Sequence, residues 1–195
     1  MTEWNILTQA HAALRQAVAG VPDNGWRLPT PCSDWNVTQV LQHASGDQLG
    51  YASALTGGPS PEEDPFAPSG NLSASVADTL EPALEAAEQA WSEVAENAVD
   101  VPVPLPPFKL PAPVAVGACA LDAAVHAWDI AMATGRPSPL SADLARDLLP
   151  VAHQIVEGPR AYGMYAAALD AEANDDAVAT LLRYLGRNPS WTPTP

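Results

Sequence analysis

Apolar residues recur along this chain at intervals of three and four, in blocks that close on glycine or proline, and nowhere alternate long enough to build a useful strand. That periodicity predicts an all-α fold. Ile6, Leu7, Ala10, Leu14 and Val18 mark a first helix over residues 3–19, stopped by Gly20, Val21 and Pro22. Val37, Val40, Leu41, Ala44, Gln48, Tyr51 and Leu55 mark a second, starting near Asn36 and ending at Gly57, Gly58 and Pro59. The turn before it, GWRLPTPCSDW, carries Ser33 and Asp34 as capping residues. A third helix is expected over 73–97, with Pro82 as a kink or a later start, and a fourth over 114–134, closed by Gly135. A fifth runs from a Ser141 cap to Gly158, and a short sixth covers 175–185. The four long helices form a bundle, with additional short C-terminal helices.

Two segments interrupt the pattern. Residues 57–71, GGPSPEEDPFAPSGN, are too rich in Pro, Gly and acid to pack and are expected as an exposed loop. VPVPLPPFKLPAP, residues 101–113, forbids helix and central strand and favours an extended, polyproline-like crossover. A proline-motif ligand for a partner domain is the lesser reading of it. The whole chain, 1–195, is expected as one domain with an extended tail over 187–195.

Eight basic against 23 acidic side chains repel phosphate backbones and anionic lipid, so neither nucleic acid nor a membrane surface is expected as partner. A small-molecule partner is expected instead, and a homodimer is compatible with the sequence. No run of about 18 uninterrupted apolar residues appears, and the start, MTEWNILTQA, does not read as a signal or transit peptide. The expected location is the cytoplasm. Cys32 and Cys119 stand far apart, outside any CxxC spacing, and are expected as reduced thiols that pack. Trp35 and Trp128 are expected to anchor helices 2 and 4 rather than to serve as substrate platforms.

The stretch LDAAVHAWDIA, residues 121–131, concentrates polar chemistry on an apolar helix. Asp122, His126 and Asp129 share one face bordering the core. An acid and a histidine four apart on a helix can reach one ion, which is the geometric basis of helical metal motifs, although the same pair often makes only a hydrogen bond. Asp129, three residues on, suits an orienting role, a helix cap or a pairing with Arg136. A third ligand must come from elsewhere. His43 sits on the shoulder of helix 2 with Asp47 one turn further, while nothing near His11 or His153 suggests a ligand pair.

Three separated stretches, WRLPTPCSDWNVTQVLQH, LPAPVAVGACALDAAVHAWDIAMATG and LLRYLGRNPSWTP, together resemble the N-terminal domain family of mycothiol-dependent maleylpyruvate isomerase, within the DinB-like superfamily. The resemblance covers nearly the whole chain. It implies a four-helix bundle holding a divalent metal, commonly zinc with nickel as the alternative, through His43, Asp122 and His126; Asp129 and Asp47, from their places beside these, are expected to support them. Relatives often carry Glu where this chain has Asp122, whose carboxylate is one methylene shorter. The isomerase has a second, C-terminal domain and this sequence ends at Pro195, so maleylpyruvate isomerisation itself is not expected to carry over.

The function implied is a metal-dependent enzyme that uses a low-molecular-weight thiol such as mycothiol for transfer to, or isomerisation of, a small electrophile. The competing readings are a metal-binding protein without catalysis, and a biosynthetic enzyme that uses the bundle cavity without a metal.

Overall fold

The computed structural model describes residues 2–193; residues 194 and 195 of the expected tail lie outside them. Seven helices and one small ribbon follow in chain order: α1 (Asn5–Ala19), α2 (Val37–Thr56), α3 (Val76–Ser92), β1 (Val101–Pro102), β2 (Lys109–Leu110), α4 (Ala112–Ala133), α5 (Ala142–Ile155), α6 (Glu157–Ala161) and α7 (Ala177–Tyr184). The first four helices form the bundle. It is all-α and DinB-like, as the periodicity and the resemblance imply.

Helix α4 is the axis of the fold. All but four of its 22 residues are buried, because α1, α2 and α5 all pack against it. A helix apolar on every side suits such a central position. By length and composition α4 also resembles a membrane span, but 89% of its most apolar window is buried inside the bundle. Small residues let neighbours approach closely: a Cβ on Gly117 would lie 2.6 Å from Cγ2 of Val151 on α5.

Local signals set most helix ends. The side chain of Asn36 accepts from the Gln39 N–H while Gln39 returns the bond to the Asn36 N–H, a capping box that starts α2. Ser33 and Asp34, the expected caps, lie too far upstream; Asn36 takes the role. Ser141 accepts from the Leu144 N–H and starts α5 as expected. Pro82 lies inside α3 on its solvent side, where water can satisfy the carbonyl it frees. Helix α3 is shorter than the expected 73–97, since Trp4 Nε1 donates to the Trp91 carbonyl at 3.0 Å and the Thr2 N–H to that of Ser92 at 2.7 Å. Those bonds capture acceptors that a longer helix would use.

Two other segments depart from expectation. The 101–113 crossover is not a plain extended path but folds back as an antiparallel ribbon, Val101 opposite Leu110 and Pro102 opposite Lys109. A two-strand edge tolerates proline where a central strand does not. The 57–71 loop, expected to be unpacked, is tied to α2: Gln39 donates to the Pro68 carbonyl, Gln42 donates to the Asn71 carbonyl, and Gln42 Oε1 accepts from the Gly70 N–H. Acid and proline keep this loop from building a core of its own, but its backbone finds partners on α2.

Candidate metal centre

His43 on α2 and Asp122 and His126 on α4 meet where the two helices cross. One potential ligand atom from each lies within 4.8 Å of the others, so the three could hold a metal ion. Oδ1 of Asp122 is 3.2 Å from Nε2 of His43 and 3.4 Å from Nε2 of His126. The shorter acid therefore still reaches both imidazoles. Its second oxygen, Oδ2, is buried and has no hydrogen-bond partner among the described residues. A buried carboxylate oxygen left alone is costly, and a cation satisfies it.

The far nitrogen of each imidazole is already engaged. Nδ1 of His43 lies 2.7 Å from the Pro65 carbonyl, to which it can only donate. Nδ1 of His126 lies 2.9 Å from Oδ2 of Asp129. With Nδ1 engaged in both rings, Nε2 is the nitrogen turned toward Asp122, and it becomes a ligand atom once any proton it carries is displaced. Asp129 is completely buried and is itself gripped by Arg187, whose Nη2 lies 2.8 Å from Oδ2.

The electrostatics follow from this packing. Burial alone would raise the Asp122 carboxyl, but His126 and His43 beside it hold it well below the usual carboxylate range. Burial opposes charge on His126, yet Asp122 and Asp129 outweigh it and raise its pKa to about 9. Asp47 stands one turn beyond His43, buried, with no hydrogen bond among the described residues; burial, reinforced by Asp122, pushes its carboxyl well above the ordinary value.

The site opens into a cavity of about 630 Å³. Trp35 walls it, its ring centroid 4.5 Å from that of His43, with Phe66 of the 57–71 loop 5.5 Å from His43 on another side. Trp128 is the core anchor expected of it; Trp35 anchors α2 and also lines the cavity, because the PTPCSDW turn folds over the site. Cys32 lines the cavity too, but burial, with Asp129 nearby, pushes its thiol up to about 12. Cys119 is fully buried and shifted in the same direction by burial. Burial therefore disfavours the thiolate form of both cysteines.

His11 is buried between Glu88 and Gln48, a satisfied core histidine, and His153 lies against the Tyr184 ring away from the site. Two contributors escaped sequence reasoning. Arg187 lies in the LGRNP motif, whose Gly186 was the legible signal, whereas the Pro65 carbonyl, a backbone group in a proline-rich loop, left none.

Comparison with known proteins identifies a family. A family model described as the mycothiol maleylpyruvate isomerase N-terminal domain matches residues 7–131, a span that includes all three clustered side chains. Two sequences from strains of Mycobacterium tuberculosis, each named an uncharacterized protein, are 33% identical over 163 residues, covering 80% of this chain and 79% of theirs. No solved structure gives a significant match.

Proposed function

This chain belongs to the mycothiol maleylpyruvate isomerase N-terminal domain family, and from that membership and the His43–Asp122–His126 cluster we propose that it is a divalent-metal-dependent enzyme. In this reading zinc is the ion, and a low-molecular-weight thiol of the mycothiol type is the co-substrate for transfer to, or isomerisation of, a small electrophile. The observation that carries it is the buried, unpartnered Oδ2 of Asp122 beside two imidazoles whose outer nitrogens are already engaged. Two histidines and one carboxylate form a donor set that suits zinc and leaves a coordination position open.

A divalent ion there would supply Lewis acidity and lower the pKa of an incoming thiol. The chain supplies the rest. His43, Asp122 and His126 bind; the Pro65 carbonyl and the Asp129–Arg187 pair hold the rings in orientation. Trp35 and Phe66 keep water from the face of His43. Asp47, whose carboxyl is pushed well above its ordinary value by burial, faces the same cavity and is placed to donate a proton to an electrophile bound there.

The test is metal content and thiol-dependent turnover together. The wild type should purify with about one zinc per chain and consume thiol in the presence of electrophiles. His126→Ala should lose both. Unchanged metal content and turnover in that variant would falsify the proposal.

A further inference from the structure

We propose that the electrophile is uncharged and largely apolar, and that dicarboxylates, maleylpyruvate among them, are poor ligands of this cavity. The inference rests on the reading of the site just given and deepens it.

The charges lining the cavity are unbalanced. Asp34 and Asp122 contribute acidic charge, Asp47 a further carboxyl group, and the one guanidinium among the described lining residues is that of Arg187. Its charge is already matched by that of Asp129 along the Nε–Nη2 edge: Nε lies 3.0 Å from Oδ1 and Nη2 2.8 Å from Oδ2. Its side chain is only 11% exposed. A dicarboxylate entering here meets no cation whose charge is not already balanced by a carboxylate, and uncompensated loss of water is what makes burying a charge unfavourable. The ion does not correct the balance. Two neutral imidazoles and one carboxylate leave a divalent cation a single net positive charge, which the thiolate cancels. The surrounding field, at a formal net charge of −15, repels anions as well.

The walls favour an apolar guest. Trp35 and Phe66 flank His43, Val103, Leu105 and Leu110 of the crossover line another side, and Ile155 closes the end of α5. Three large apolar side chains remain exposed among the lining residues: Phe66, Tyr162 and Met164. A cavity of about 630 Å³ has the size of a small-molecule site.

A matched pair of Michael acceptors separates charge from shape: dimethyl benzylidenemalonate and the benzylidenemalonate dianion. Zinc-loaded protein, dialysed free of excess metal and saturated with 2-mercaptoethanol, is titrated by calorimetry with the saturated, unreactive form of each, dimethyl benzylmalonate and the benzylmalonate dianion. The diester should bind at least tenfold more tightly than the dianion. Gln154→Arg, which adds a cation at an exposed lining position, should raise affinity for the dianion at least tenfold and leave that for the diester unchanged. Equal or tighter binding of the dianion by the wild type overturns the inference, as does failure of the diester to bind below millimolar concentration. Thiol-dependent turnover is measured separately. Preference for the diester without turnover on any electrophile sinks the enzymatic reading while the inference about the cavity stands; turnover on the dianion at or above the diester's rate overturns the inference alone.

Discussion

Arg187 grips Asp129 through two nitrogens, Nε 3.0 Å from Oδ1 and Nη2 2.8 Å from Oδ2, and that same Oδ2 lies 2.9 Å from Nδ1 of His126. The C-terminal segment thereby reaches the centre of the bundle through one side chain. Asp129 is fully enclosed and Arg187 nearly so. Removing one member of such a pair strands the charge of the other. Arg187→Met should cost about 3–5 kcal/mol of stability, read as a shift in the urea midpoint. It should also weaken zinc binding about 10–100-fold, because the partner that fixes His126 has lost its own support. An unchanged zinc affinity in a folded Arg187→Met protein would refute the orienting role.

The same pair makes stability depend on acid. Burial would raise the Asp129 carboxyl, but Arg187 and His126 hold it below the ordinary range. A carboxylate depressed in the folded state binds more protons when unfolded, so its contribution is present above the unfolded value of about 4 and is lost as pH falls through the folded value. Asp129→Asn should therefore cost most near neutral pH. The gap between variant and wild type, measured by urea unfolding from pH 7 down to the acid limit of folding, should narrow as pH falls. A gap that widened toward acid would contradict the assignment.

Metal binding carries the opposite pH signature. Although burial lowers it, the pKa of His126 is raised to about 9 by Asp122 and Asp129, so below that pH the ring holds a proton that an ion must displace. Zinc affinity should rise roughly tenfold per pH unit between pH 6 and 8 and level off near the pKa. Competition titrations with a chromophoric chelator would measure this, and calorimetry in buffers of different ionisation enthalpy should register a released proton. A flat profile would mean that His126 is neutral before the ion arrives.

The sequence made the α4 half of this site legible and hid the rest. Asp122 and His126 announce themselves by a spacing that helical geometry converts into proximity, and Asp129 extends the same face. Nothing in the periodicity of α2 distinguishes His43 from an ordinary boundary residue; its place beside Asp47 made it a candidate and only the resemblance assigned it as a ligand, because convergence across helices is a tertiary fact. The Pro65 carbonyl was hidden for a different reason. Backbone acceptors have no residue identity, and composition suggested only that residues 57–71 could not form a core, not that Gln39, Gln42 and His43 would bind them. Helix existence was likewise legible, while the early end of α3 was set by Thr2 and Trp4, some ninety residues away in sequence.

Gly186 links backbone conformation to the metal centre. Its φ is +79°, in the left-handed region, and an added Cβ would lie 2.8 Å from both the Cβ and the carbonyl oxygen of Ala166. Neither backbone can yield cheaply. The next residue is Arg187, so any shift that relieves the clash moves the guanidinium away from Asp129. Gly186→Ala should cost about 1–3 kcal/mol and should weaken zinc binding in the same direction as Arg187→Met. Because both act through one contact, their effects on zinc affinity should not add: in the double variant the loss should be close to that of Arg187→Met alone. Full additivity in that cycle would mean that Gly186 serves the packing of the 166 segment and has no part in delivering Arg187 to the site.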